Sequence, residues 1–201
     1  MIKSILVANR GEIAVRVIRA CRELSIKTVA IYSEADRDSM HVKLADRSVC
    51  IGPPEPSMSY LDIPRIMSAI EVSGVDAVHP GYGFLAENPK FAEIVRASKK
   101  IFIGPSPETL ELIGDKIRAK EVAKKVGVPL VPGSDGEVDA KQALEVAQRI
   151  GYPVVIKASA GGGGRGIRVV RDEKELREKL PLAMEEARVA FGDGRVYIEK
   201  Y

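Results

Sequence analysis

The chain has 201 residues, 45% of them hydrophobic and 29% charged, with a formal net charge of +3. That balance belongs to a globular chain long enough for one or two buried cores, and the charge is too small to argue for nucleic acid as a partner. Cys21 and Cys50 imply no disulfide framework, and with His41 and His79 as the only histidines no zinc spacing exists.

The apolar run within Met1–Ala8 is too short for a signal peptide and no stretch is long enough to cross a membrane, so a cytoplasmic protein is the expectation. Strand-like runs fall at Ser4–Ala8, Thr28–Tyr32, Ser48–Ile51, Val75–His79 and Ile101–Gly104. Between several of them lie helical patterns. In Glu12–Leu24 the apolar set Ile13, Val17, Ile18, Cys21 and Leu24 keeps one face. Ile63–Val72 and Pro89–Ser98 behave alike, and Pro89 suits a first helical turn. This alternation predicts a parallel sheet with helices on both faces, whose ligands sit beyond the carboxyl ends of the strands.

The alternation stops at Gly104-Pro105-Ser106-Pro107. Helices are predicted at Glu108–Ile113 and Lys116–Val126, then a turn-rich joint at Pro132-Gly133-Ser134-Asp135-Gly136. The order that follows is helix Ala140–Ile150, strand Pro153–Lys157, a glycine run, strand Ile167–Val170, helix Asp172–Ala190 and strand Arg195–Lys200. This describes a small α+β unit. The sequence ends at Tyr201, in or just after a strand, and more protein is expected to follow; an edge strand that simply ends there is the bland alternative.

Gly161-Gly162-Gly163-Gly164-Arg165-Gly166 is the most distinctive stretch, because β-branched strands bracket it. Glycines carry no side chain to hold backbone off a ligand, and their N–H groups can cradle phosphates. A dinucleotide fingerprint or Walker loop opens into a helix. Here the loop joins two strands, and Ile167 and Arg168 stand where a Walker loop needs Lys and Ser/Thr. A glycine lid on a hairpin fits better, with a flexible linker as the alternative. A triphosphate also needs cations, and Lys116 and Lys157 are the candidates, with Arg165 as a further contact. Taken singly, each lysine reads first as a surface residue, Lys157 less so because Val155-Ile156-Lys157 puts its ammonium at the end of an apolar strand.

Two other stretches lie at the carboxyl edge of the predicted sheet. His79-Pro80-Gly81-Tyr82-Gly83-Phe84-Leu85-Ala86-Glu87-Asn88 would fix Tyr82 and Glu87 in a loop, although a structural tight turn explains it as well. Ala8-Asn9-Arg10-Gly11-Glu12 has one glycine and lacks the rest of a dinucleotide fingerprint.

Together with Ala35-Asp36-Arg37-Asp38, Ile103-Gly104-Pro105, Gly114-Asp115-Lys116, Val131-Pro132-Gly133-Ser134 and Lys157-Ala158-Ser159-Ala160, these stretches resemble the biotin carboxylase family of ATP-grasp enzymes, in order and over essentially the whole chain. The resemblance implies an α/β fold: a Rossmann-like N-terminal domain over 1–104 that does not bind NAD, a helical linker over 105–130, and an ATP-grasp lid over 131–201. It implies ATP- and bicarbonate-dependent carboxylation of biotin on a carrier, in an acetyl-CoA or pyruvate carboxylase. By resemblance Lys116 and Lys157 bind ATP phosphates, and Gly163 and Gly164 belong to the lid loop with Gly161, Gly162, Arg165 and Gly166. Glu199, Lys200 and Tyr201 line the adenine pocket, and Tyr82 and Gly83 lie near biotin. Arg19 and Glu23, spaced i, i+4 on the first helix, are candidate dimer contacts, or an exposed intrahelical pair. The expected cofactors are ATP and Mg²⁺, and the expected partners a biotin carboxyl carrier protein, a carboxyltransferase and a second copy. In the family the metal carboxylates and the groups handling bicarbonate and biotin lie beyond the position of Tyr201. The 201 residues alone are therefore expected to bind ATP weakly and to be inactive, with no metal site. Another ATP-grasp ligase, or a non-catalytic nucleotide-binding or assembly module, are the competing readings.

Overall fold

The computed structural model of the chain describes residues 1–159 and 167–201, with Lys116 described through its backbone alone. Two compact units divide it, Met1–Glu111 and Leu112–Tyr201.

The first unit alternates strand and helix: β1 (Ser4–Val7), α1 (Gly11–Glu23), β2 (Lys27–Ser33), α2 (Met40–Leu44), β3 (Arg47–Gly52), α3 (Ile63–Ser73), β4 (Ala77–His79), α4 (Pro89–Ala97) and β5 (Ile101–Phe102). Its sheet is parallel throughout, in the order β3-β2-β1-β4-β5. That order reproduces five strands of the doubly wound 3-2-1-4-5-6 arrangement, with its reversal point between β1 and β4. Both sheet faces are covered. On one, Leu6, Val29, Ile31 and Val78 pack with Ile66 and Ile70 of α3 and Phe91 and Val95 of α4. On the other, Ile5, Val7, Ala30 and Ala77 pack with Ala14, Val17, Ile18 and Cys21 of α1. Burial on two faces explains why β1 reads as an unbroken apolar run.

Helix ends follow local chemistry. Asp62 caps α3 by accepting from the Arg65 amide, and Gly74 ends it in the left-handed region. Asn88 caps α4 by accepting from the Phe91 amide, with Pro89 as first helical residue. The five-residue α2 has no periodicity long enough to detect in sequence. Tertiary contact holds it, since buried His41 places Nε2 at 3.1 Å from the Ile31 carbonyl.

α5 (Pro107–Gly114) spans the boundary, and α6 (Lys116–Lys125) and α7 (Ala140–Ile150) open the second unit. There β6 (Val154–Ala158), β7 (Arg168–Val170), α8 (Glu173–Phe191) and β8 (Val196–Lys200) follow, and the three strands form an antiparallel sheet in the order β7-β6-β8. A capping box of Asp139 and Gln142 starts α7. One sheet face packs Val154, Ile156, Val170, Val196 and Ile198 on Ala143, Ala147, Leu176, Leu180 and Ala183 of α7 and α8. Because side chains alternate along a strand, the opposite face of β6 and β8 receives Lys157, Tyr197 and Glu199. The pairing of β6 with β7 makes the strands around the glycine run a hairpin, as the sequence predicts. Gly161, Gly162, Gly163, Gly164, Arg165 and Gly166 themselves lie outside the described residues.

Candidate functional site

In the second unit, β6 and β8 pair with Lys157 opposite Tyr197 and Val155 opposite Glu199. Glu199 is buried, and each oxygen of its carboxylate meets one ammonium. Oε2 lies 2.5 Å from Lys157 Nζ and Oε1 lies 3.0 Å from Lys120 Nζ on α6. Lys120 also stands 5.0 Å from the centre of the Tyr197 ring, a cation–π distance. Burial acts to raise the Glu199 pKa, but the two lysines outweigh it and hold the carboxyl below its ordinary value. One negative and two positive groups leave the cluster with a net positive charge, which suits an anionic ligand.

The flanking backbone fixes this arrangement. Ser134 donates its amide to the Ile198 carbonyl at 2.8 Å, and the Lys200 amide donates to Pro132 at 2.8 Å. Gly133 thereby lies against Glu199 in a bridge, where an added Cβ would strike the Ile198 carbonyl oxygen.

Lys157 and Glu199, named from sequence, thus meet. Lys116 is the first residue of α6, directly after the cap Asp115, which accepts from the amides of Ile117 and Arg118. Lys200 shares its strand with Glu199 but faces the helices, and its Nζ donates to the carbonyls of Gly151 and Tyr152, each at 2.9 Å. Its ammonium therefore serves the end of α7, leaving only backbone for the face that holds Glu199. Tyr201 is exposed and donates its amide to Pro153. Sequence reading missed Lys120, although its place one helical turn after Lys116 was a usable signal.

Among the described residues no three His, Cys, Asp or Glu side chains converge on a point. The one buried carboxylate of the cluster has both oxygens occupied by ammonium groups. This donor set does not fit a divalent cation.

In the first unit the residues at the β1/β4 reversal point hold each other. Asn9 donates both amide hydrogens, to the carbonyls of Pro80 and Tyr82, each at 2.8 Å. Gly81 sits so close to Asn9 that a Cβ would collide with its side chain. Tyr82 is exposed and donates its hydroxyl to Glu12 at 2.9 Å, and Gly83 takes a positive φ of 67°. A cavity of about 500 Å³ lies along this turn. Deeper, Asp36 accepts from Arg10 at 2.8 Å, Tyr60 at 2.7 Å and the Ser33 hydroxyl at 3.0 Å. Burial would raise the Asp36 pKa, but these donors hold it below the usual carboxylate value. Burial lowers the pKa of both His41 and His79, and His79 Nδ1 accepts from the Gly81 amide at 3.0 Å. Arg19 and Glu23 are both exposed on α1 and, among the described residues, form no ion pair with each other. No described helix is long and apolar enough to cross a membrane.

Residues 1–110 match the family model for the biotin carboxylase N-terminal domain, and residues 115–201 match that for the carbamoyl-phosphate synthase L chain ATP-binding domain. The chain is 59% identical to the biotin carboxylase of Allochromatium vinosum over 203 aligned positions, covering all of this chain and 45% of that protein. The crystal structure of a Campylobacter jejuni biotin carboxylase complex superposes with a TM-score of 0.91 at 52% identity, over all of this chain and 45% of the other. The biotin carboxylase domain dimer of Hydrogenobacter thermophilus 2-oxoglutarate carboxylase, solved with ADP, magnesium ADP and bicarbonate, matches with a TM-score of 0.88 at 54% identity, over all of this chain and 44% of the other. The chain therefore spans a little under half the length of the relatives it matches. With the parallel unit and the antiparallel unit both accounted for in one continuous match, the chain belongs to the biotin carboxylase family.

Proposed function

We propose that this chain supplies the N-terminal and nucleotide-closing portions of a biotin carboxylase. In this reading ATP phosphorylates bicarbonate to carboxyphosphate, and the carboxyl group passes to the ureido nitrogen of biotin on a carrier protein. A carboxyltransferase then uses the carboxybiotin, a second copy completes a homodimer, and the assembly works in the cytoplasm.

The observation that carries the proposal is the ammonium of Lys157, set beside Glu199 on the last strand before the glycine run. Lys157 and Lys116 neutralise the polyphosphate, while the amides around Gly163 and Gly164 close over it. Glu199, Lys200 and Tyr201 border the adenine, the last two through their backbone. Tyr82 and Gly83 face the biotin approach, and Arg19 and Glu23 contribute to the dimer contact. Magnesium would enter with the nucleotide, where it would supply counter-charge to the phosphates, and no residue described here would hold it. The residues here contribute the cations and the amides.

The test uses the natural gene product, with ADP formation followed at varied ATP, bicarbonate and free biotin. Bicarbonate-dependent turnover stimulated by biotin is expected, and Lys157→Ala should lower kcat/KM for ATP by about a hundredfold, the scale set by losing a charged contact. Turnover indifferent to biotin would instead favour another ATP-grasp ligase, a reading that the match of residues 115–201 to the carbamoyl-phosphate synthase ATP-binding domain supports. Wild-type kinetics in Lys157→Ala would remove the phosphate assignment.

A further inference from the structure

Lys120 is the cation that no reading of the nucleotide site accounts for. Its ammonium has three neighbours: Glu199 Oε1 at 3.0 Å, the Ser134 carbonyl at 3.5 Å and the Tyr197 ring at 5.0 Å. Lys157 has one among the described residues, Glu199 Oε2. The Lys120 side chain is 21% exposed and that of Lys157 33%, while Glu199 is 10% exposed. Lys120 is therefore anchored, and Lys157 is the member able to leave. Beside the cluster lies a cavity of about 490 Å³, lined in part by Lys120, Gly133 and Ser134.

We propose that Lys120 is a positioning residue for nucleotide binding: it keeps Glu199 paired when Lys157 swings from that carboxylate to a phosphate. The inference rests on the assignment of Lys157 to the nucleotide. A buried carboxylate that loses its only cation is strongly disfavoured, because its charge stays out of water without compensation. With two ammonium groups, one on each oxygen, Glu199 releases Lys157 and remains neutralised by Lys120. Without Lys120, Lys157 would be held by Glu199 in competition with the ligand. Any transfer would also leave a bare carboxylate near a polyanion. Lys120 thus acts through Glu199 and need not touch the nucleotide.

The experiment is a double-mutant cycle in the natural gene product, reading KM for ATP and kcat, with thermal unfolding as a check on folding. Lys120→Met is expected to raise KM for ATP about tenfold or more with kcat within about twofold, and Lys120→Arg to restore most of the loss. Against Glu199→Gln, which needs no counter-ion, the same Lys120→Met change should shift KM by less than about twofold. An equal KM penalty in both backgrounds would overturn the proposal and place Lys120 on the nucleotide itself. An unchanged KM in Lys120→Met would make it a spectator. Should Lys120→Met fail to fold, Lys120→Gln carries the same comparison. A wild-type enzyme that does not saturate with ATP would defeat the nucleotide reading, whereas saturation with no Lys120 effect defeats only this inference.

Discussion

The two units treat their buried charge differently. In the first, the Asp36 carboxylate receives four side-chain donors from Arg10, Tyr60, Ser33 and Ser39, and Asn9 spends both amide hydrogens on the turn after β4. These groups are saturated by partners within the unit and serve to fix loops. In the second unit, Glu199 holds two lysines of unequal exposure, and in the proposed reading the more exposed pair is the one exchanged for a ligand. Saturated pairing suits a scaffold, and an exchangeable pair is what the proposed site requires.

Three perturbations would break or sharpen that contrast. The largest stability effect is expected from Asp36→Asn, which replaces an acceptor of four side-chain hydrogen bonds by an amide with one acceptor oxygen. It should destabilise the first unit by roughly 2–3 kcal/mol in urea unfolding and leave KM for ATP unchanged. A nucleotide effect as large as that of Lys157→Ala would abolish the distinction between scaffold and site. Gly133→Ala comes next. Its Cβ would press on the Ile198 carbonyl and lift the Pro132–Ser134 bridge from β8, moving Glu199 with it. We expect about 1–3 kcal/mol of destabilisation together with weaker ATP use. A loss of stability alone would mean that the cluster does not depend on that bridge.

The smallest effect concerns acid. Lys27 Nζ, then the Thr28 amide, hold Asp46 down to about 2 against desolvation, and the Thr28 hydroxyl adds to them. Because the folded value lies below the unfolded one of about 3.9, this contribution is complete above that pH. It disappears as the pH falls toward the folded value of about 2. Asp46→Asn should therefore flatten the loss of stability between those limits in an acid titration of unfolding. An unchanged acid slope would show that this exposed pair contributes nothing, as surface pairs often do.

Much of the fold was legible because local chemistry and period agree. α7 appears at the predicted Ala140–Ile150, bounded by its capping box, and Asn88-Pro89 starts α4. Alternating strand and helix up to Gly104 led to the parallel sheet, and β-branched runs around the glycines led to the β6–β7 hairpin. What no period encodes went unseen. α2 is too short and depends on His41 reaching Ile31 across the chain. The Asp36 network gathers residues 10, 33, 36 and 60 from separate elements.

The candidate site divides in the same way. Sequence by itself determined that a lysine ends an apolar strand before a glycine run, since strand alternation and residue chemistry are local properties. Only the tertiary structure decided that Lys157 and Glu199 share one sheet face, that Lys200 turns to the other, and that Lys120 arrives from α6 to the same carboxylate. Pairing register and helix packing set those meetings, and a buried charge selects its partners through space rather than along the chain.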